Sequence, residues 1–196
     1  MLKIIRNTLA ILLFLTANAY AGGAMGLMMA AGSSAAASSC DPTTDEIGYR
    51  TTGGTASTAR TANTLYCVAK TPDCVGSLDA AYIYGSGNGK KNKLYLYSKT
   101  TTAPAAEDVL LDYSGEMTFV TDASLKSALS TNNYVLSSAE CWVCAVTDSD
   151  PIWYYDIGAT VYYKAIANSY ATPPETLSTG FATGDRNYTF FFSIGP

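Results

Sequence analysis

The closing segment YTFFFSIG (188–195) places Tyr188, Phe190, Phe192 and Ile194 on one side of an extended chain, with Thr189, Phe191 and Ser193 on the other. The same two-residue period recurs where Leu94, Leu96 and Ser98 alternate with Tyr95 and Tyr97. An apolar period of 3.6 residues fails almost everywhere, so long amphipathic helices are excluded and short strands are expected. Candidate strands are 46–51, 63–69, 76–85, 108–113, 116–120, 140–147, 152–157 and 160–166, beside KLYLYS and the terminal run. The segment 123–129 fits a short helical turn or another strand. Turn signals separate these runs, among them Thr52-Gly53-Gly54, Asp148-Ser149-Asp150-Pro151 and Thr172-Pro173-Pro174. Many short strands with turn-rich connections predict an all-β fold, an antiparallel jelly-roll β-sandwich of about 8–10 strands.

The N-terminus has a different character. Lys3 and Arg6 precede the apolar run Leu9–Leu15, and Ala19-Tyr20-Ala21 has the small-x-small form of a cleavage site. Residues 1–21 are therefore expected to be a signal peptide, too short in its apolar part to span a bilayer, which takes about 20 residues. Residues 22–39, GGAMGLMMAAGSSAAASS, are expected to be a flexible linker. Within it Met25, Leu27, Met28 and Met29 form an apolar knot suited to self-association. Residues 40–196 make one domain of ordinary size.

Loss of Lys3 and Arg6 from the 12 basic residues leaves 10 against 16 acidic ones, a net charge of −6. That balance carries no electrostatic footprint for nucleic acid or an anionic membrane. No membrane span is expected after cleavage, and the localisation predicted is secreted, extracellular or cell-surface.

The chain contains no histidine. Ser-His-Asp and Cys-His catalysis are excluded, as is any histidine-ligated zinc, copper or haem. Carboxylate chemistry survives, but a glycosidase needs two carboxylates facing each other across a cleft, and no E-x-D-x-x-E strand marks such a pair. GSGNGKK (85–91) imitates a phosphate loop. Tyr84 stands where its first Gly belongs, Lys91 where its Ser or Thr belongs, and the strand NKLYLYS follows instead of a helix. A hairpin loop is the expectation there. No enzyme activity is predicted.

Five cysteines lie at 40, 67, 74, 141 and 144. In an oxidising compartment they are expected to pair, with one left over. Cys67 and Cys74 flank the turn KTPD and are the disulfide candidates. Cys141 and Cys144 would point to opposite faces of a strand and should not bond each other. Cys40, beside the linker, is the expected odd thiol. A structural calcium ion is open at the loop acids Asp41, Asp45, Glu46, Asp148, Asp150 and Asp185, with no defined ligand set.

The stretch IWYYDIGATVYYK (152–164) carries five aromatic rings. If the faces bearing Ile157 and Val161 are core, then Trp153, Tyr155 and Tyr163 lie inside, and Tyr154 and Tyr162 face outward with Asp156 and Lys164. Outward tyrosines beside charges suit sugar binding, with ring faces against C–H patches and polar groups on hydroxyls. Tyr95 and Tyr97 pose the same choice between platform and sheet packing.

Four segments carry a resemblance: IGY (47–49); NKLYLYSKTTTAPAAEDVLL (92–111), similar to an LYSD-x-x-G-x-P-G-x-x-L segment; ECWVCAV (140–146), similar to a YWLAF strand; and YATPP (170–174) with the terminal FFFSIG (190–195). Together they resemble secreted bacterial and phage-associated jelly-roll domains of lectin-like or carbohydrate-binding-module shape. Lys99 and a Thr run depart from that pattern, where Asp and Gly are usual. The resemblance implies a jelly-roll sandwich with a binding or structural role, and it carries over no catalytic residue. The expected function is non-catalytic recognition of extracellular glycan or cell-surface material. The rival expectation is a structural subunit of a fibre, appendage or matrix, assembling through residues 22–39.

Overall fold

The computed structural model describes residues 39–57 and 59–196. The expected signal peptide and all but the last residue of the expected linker lie outside the described residues. Twelve strands and no helix occur among the described residues, so none there is a helix able to cross a membrane. In chain order they are β1 Glu46–Tyr49, β2 Thr55–Ala56, β3 Thr64–Lys70, β4 Ser77–Ser86, β5 Lys91–Ser98 and β6 Leu110–Tyr113. There follow β7 Met117–Thr118, β8 Ser124–Leu129, β9 Cys141–Thr147, β10 Ile152–Ala165, β11 Ala182–Tyr188 and β12 Phe190–Gly195. Every pairing is antiparallel, in the order β1-β12-β4-β10-β3-β9-β5-β6. β8 joins β4, β11 and β2 join β10, and β7 joins β5.

The all-β expectation holds, with several local differences. The ambiguous segment near 123–129 is a strand. The two strands expected at 152–157 and 160–166 are one, β10. It pairs Ile152 and Trp153 with β4 at one end and residues 162–165 with β3 at the other. Its register against β11 breaks between Asp156 and Thr160, where Gly158 adopts φ 120° with open space around it. The bulge bends the strand from one ladder to the other. It also puts the side chain of Ile157 74% in solvent, so Ile157 is not the core residue that alternation predicted.

GSGNGKK is not a hairpin loop. β4 and β5 have different strand partners, and the connection is held by N–H donation from Gly87 to the Val120 carbonyl at 2.9 Å and from Gly89 to the Phe119 carbonyl at 3.1 Å. β2 and β11 have no counterpart among the predicted strands; in ATGDRNY polar residues hide the alternation.

Burial divides by residue parity. Tyr66 and Val68 of β3, Leu94 and Leu96 of β5, and Val143 and Ala145 of β9 enter one cluster with Ile47, Ile83, Trp153 and the Phe190, Phe192, Ile194 row. Their alternate neighbours Leu65, Cys67, Tyr95, Tyr97, Trp142, Cys144 and Val146 enter a second cluster with Leu177. The β3–β9–β5 ladder is thus buried on both faces, which is why β9 reads as the unbroken run CWVCAV.

Two buried carboxylates tie down the loops around it. Asp108 accepts the Thr100 and Ala105 N–H groups, the Thr100 hydroxyl and the Trp142 indole N–H, at 2.7–3.0 Å. Asp112 accepts the Tyr113, Asn132 and Tyr134 N–H groups and the Ser130 hydroxyl.

Both disulfide candidates are bonded, but not to each other. Cys67 pairs with Cys144 across the β3–β9 register, and Cys74 pairs with Cys40. Cys67 points into the second cluster, away from the turn that Cys74 follows, so proximity in sequence misled. The odd thiol is the buried Cys141, not Cys40. Cys141 and Cys144 enter opposite clusters, as strand alternation requires. Two disulfides fit an oxidising environment.

Candidate functional site

The six predicted ligand residues do not form one surface. Tyr95 and Tyr97 are fully buried. Their hydroxyls donate to the carbonyls of Ser169 and Pro174 at 2.7 and 2.9 Å, and burial pushes both phenols well above the ordinary value. No ligand reaches them; loop 166–181 covers the face on which a platform was expected.

Tyr162 is likewise turned into the second cluster. It packs edge-on to Trp142 at 5.3 Å and donates to the Thr102 carbonyl. Lys164 donates to the Ser178 hydroxyl and the Thr179 carbonyl. Asp156 accepts the Gly54 N–H at 3.0 Å and the Tyr49 hydroxyl at 2.8 Å, and these bonds hold its carboxyl below the usual range. Tyr154 is half-buried, edge-on to Tyr84 at 5.1 Å. Eight positions separate Tyr154 from Tyr162, on the order of 25 Å along an extended strand, so one sugar cannot span both.

The expected calcium acids are engaged in turns and pairs. Asp41 accepts the Thr43 N–H and hydroxyl. Asp150 pairs with Lys90, Asp148 accepts the Lys91 N–H, and Asp185 accepts the Gly158 N–H. Asp45 approaches the sulfurs of Cys40 and Cys74, but those sulfurs are bonded to each other and offer no thiolate.

A different constellation lies where β10, after its bulge, runs between β3 and β11. Here Tyr66, Val161, Tyr163, Gly184, Arg186 and Tyr188 line a cleft of about 330 Å³, closed by Arg60 and rimmed by Asp185. Alternation places these side chains. Tyr163 is opposite Tyr66, and Val161 is opposite Gly184, whose missing side chain keeps the floor open. The rings of Tyr66 and Tyr163 stack at 5.8 Å, while Tyr188 and Trp153 stand edge-on behind Tyr66. Tyr163, expected inside, is 38% exposed, because the bulge carries this end of β10 past the edge of the main core.

Two guanidiniums converge on this wall. Arg60 Nη1 donates to the Tyr188 hydroxyl oxygen at 2.6 Å and Arg186 Nη1 donates to the same atom at 3.2 Å. Arg60 lies over the Tyr66 and Tyr188 rings, and Arg186 lies 4.8 Å above Tyr155. The four ion pairs described, Arg50–Glu46, Lys90–Asp150, Lys91–Glu116 and Lys99–Glu140, do not involve Arg186. A second hollow, lined by Thr61, Thr64, Lys164 and Ala182, shares Tyr66 and Tyr163 with the cleft and extends it. Sequence reasoning missed Arg60, Arg186, Tyr66 and Tyr188. The one legible signal was Gly184, Arg186 and Tyr188 at period two in ATGDRNY.

Aromatic faces with fixed cationic donors bind polar ligands that also present C–H surface. The one carboxylate lining the cleft is Asp185, short of the pair that glycoside hydrolysis requires. The chain matches no family model, no curated protein and no solved structure.

Proposed function

We propose that this protein is a secreted, non-catalytic binding domain for extracellular glycan or cell-surface material, built on a sheet folded over as a jelly-roll sandwich. The observation that carries the reading is the Tyr66–Tyr163 wall with two arginines in a cleft of about 330 Å³, large enough for one or two sugar rings. The lack of histidine and the occupation of the buried Asp108 and Asp112 by loop donors support a role without catalysis. The test is binding of the purified domain to a panel of polysaccharides, with Tyr163→Ala alongside. Loss of a stacked ring is expected to weaken binding by about 1 kcal/mol or more. A domain that binds no saccharide, or binds equally without the Tyr163 ring, sinks the reading.

One observation favours the fibre-subunit alternative. β8 pairs only with β4 among the described strands, and its Leu125 and Leu129 are 46% and 74% exposed. An edge strand with exposed apolar side chains is a template for β-addition, here over the part of β8 before Leu129, whose carbonyl accepts the Gly115 N–H at 3.1 Å. A sizing column, run with and without residues 22–39, separates the two. A monomer indifferent to truncation fits the binding domain, and a polymer lost on truncation fits the fibre.

A further inference from the structure

Resting on the glycan reading of the cleft, we propose that it grips the end of a saccharide chain: a terminal sugar unit enters the cleft, and the chain leaves across Tyr163 through the hollow beside it. The rows of the sheet set this up. On the face shared by β11, β10 and β3, Ala182, Tyr163 and Tyr66 form one cross-strand row. The row on one side of it holds Gly184 and Val161, and on the other side Ala165 lies opposite Thr64. A ridge of two rings therefore crosses a trough floored by small residues, with a hollow on either side. The cleft takes about 330 Å³ and the second hollow about 420 Å³, and Tyr66 and Tyr163 line both. Each is of a size that holds a small ligand.

The two hollows differ in depth. In the cleft, Arg60, Tyr66, Val161 and Tyr188 are all 7% exposed or less. Arg60, set against the Tyr188 hydroxyl, closes one end as a wall. In the second hollow, Thr61, Ala165, Gly180 and Ala182 are exposed, and Lys164 is drawn aside to Ser178 and Thr179. A chain running on in both directions would meet the wall, whereas a chain that ends in the cleft would not. Gly184 gives the terminal unit its room: a Cβ there would come 3.3 Å from Val161 Cγ1 and 3.7 Å from the Tyr163 ring. The exposed Tyr163 ring, between the hollows, meets the C–H surface of the next unit at the exit.

The test uses the whole chain as expressed and three ladders of linear oligosaccharides, malto-, cello- and chito-, from one sugar unit to six, with a soluble polymer of each linkage. Trp153 is a built-in reporter, since its ring contacts Tyr66 and Tyr188 at 5.3 and 5.6 Å. For the ladder that binds, affinity per mole of chain is expected to rise about three- to tenfold from one unit to two and to stay level beyond three, polymer included. Partial hydrolysis of the polymer at constant mass multiplies its ends and should raise binding in proportion. Gly184→Val fills the cleft without demanding a new backbone conformation, since Gly184 has no positive φ. It is expected to cost at least about tenfold at every length. Ala182→Leu, at an exposed position in the second hollow, is expected to erase the gain from the second unit and to leave binding of the single unit as before.

A level affinity beyond three units, with the Ala182→Leu loss confined to the longer members, sustains the proposal. Affinity per mole of chain that keeps climbing with each added unit, or a polymer whose binding ignores partial hydrolysis, overturns the chain-end proposal and leaves the glycan reading standing. Equal losses for single unit and chain in Ala182→Leu overturn it as well. Silence of all three ladders and their polymers overturns the glycan reading with it.

Discussion

The molecule has two aromatic neighbourhoods, one sealed and one open. In the sealed one, Tyr95, Tyr97, Tyr162 and Trp142 fill the second cluster, and their polar atoms meet fixed partners: the carbonyls of Ser169, Pro174 and Thr102, and the Asp108 carboxylate. In the open one, Tyr66, Tyr163 and Tyr188 border a cleft, and the Tyr188 phenol oxygen meets two guanidiniums. Ring content is similar. What differs is whether a loop lies over the rings. A tyrosine whose hydroxyl is spent on a carbonyl under a loop builds the fold. A tyrosine whose ring stays exposed at a cleft, as Tyr163 does, keeps a face free for contact.

The contrast breaks most readily on the sealed side. Replacing Cys67 and Cys144 together by Ser removes a link between residues 77 apart. It is expected to cost about 4 kcal/mol of stability, through loop entropy regained by the unfolded chain. Denaturant unfolding measures it; a cost below about 1 kcal/mol would mean that the second cluster is held by packing alone. Asp108→Asn comes next. It replaces an acceptor-only carboxylate that takes four donors, and an amide cannot accept from all of them. The expected loss is about 2–3 kcal/mol, read in the same unfolding experiment.

A pH titration sharpens the contrast further. Burial raises the phenols of Tyr95 and Tyr97, so the folded state holds their protons longer than the unfolded chain does. Their contribution to stability is fully present below the ordinary phenol value of about 10 and is lost as pH rises beyond it. Ultraviolet titration should show these two phenols ionising only with alkaline unfolding, while surface tyrosines ionise earlier. The buried Cys141 behaves alike, its thiol pushed up to about 11 by desolvation first and Glu140 second. Alkylation of native protein at pH 8 should therefore be slow. Rapid labelling would mean that this part of the main cluster opens.

Much of the fold was legible because period-two alternation is a local property. The Tyr188, Phe190, Phe192, Ile194 face enters the main cluster as the terminal segment predicts. The separation of Cys141 from Cys144 follows from the same rule. What alternation could not supply was long-range. It fixes that Tyr95 and Leu96 face opposite ways, but not that loop 166–181 covers Tyr95. The disulfide partners of Cys67 and Cys74 depend on strand register across the sheet, which no spacing in the sequence encodes. A single bulge at Gly158 reversed the expected environment of Ile157 and exposed Tyr163. The cleft itself gathers Arg60, Tyr66, Tyr163 and Arg186 from four separate segments, so no short motif announces it.

The smallest effect is the most discriminating, because one chemical change is made in both neighbourhoods. Tyr97→Phe deletes a hydroxyl that donates to the Pro174 carbonyl at 2.9 Å in a fully buried site. The carbonyl is left without that donor, and about 1 kcal/mol of stability should go with it. Tyr163→Phe deletes a hydroxyl from a ring that is 38% exposed, where water replaces any bond it made. Its stability should stay within about 0.5 kcal/mol of the parent, and the stacked face that the ligand would use is kept. The pair is read by thermal unfolding together with polysaccharide binding. If Tyr97→Phe is silent, the sealed neighbourhood is looser than its hydrogen bonds imply. If Tyr163→Phe destabilises as much as Tyr97→Phe, the cleft rings are also structural, and the division between the two neighbourhoods fails.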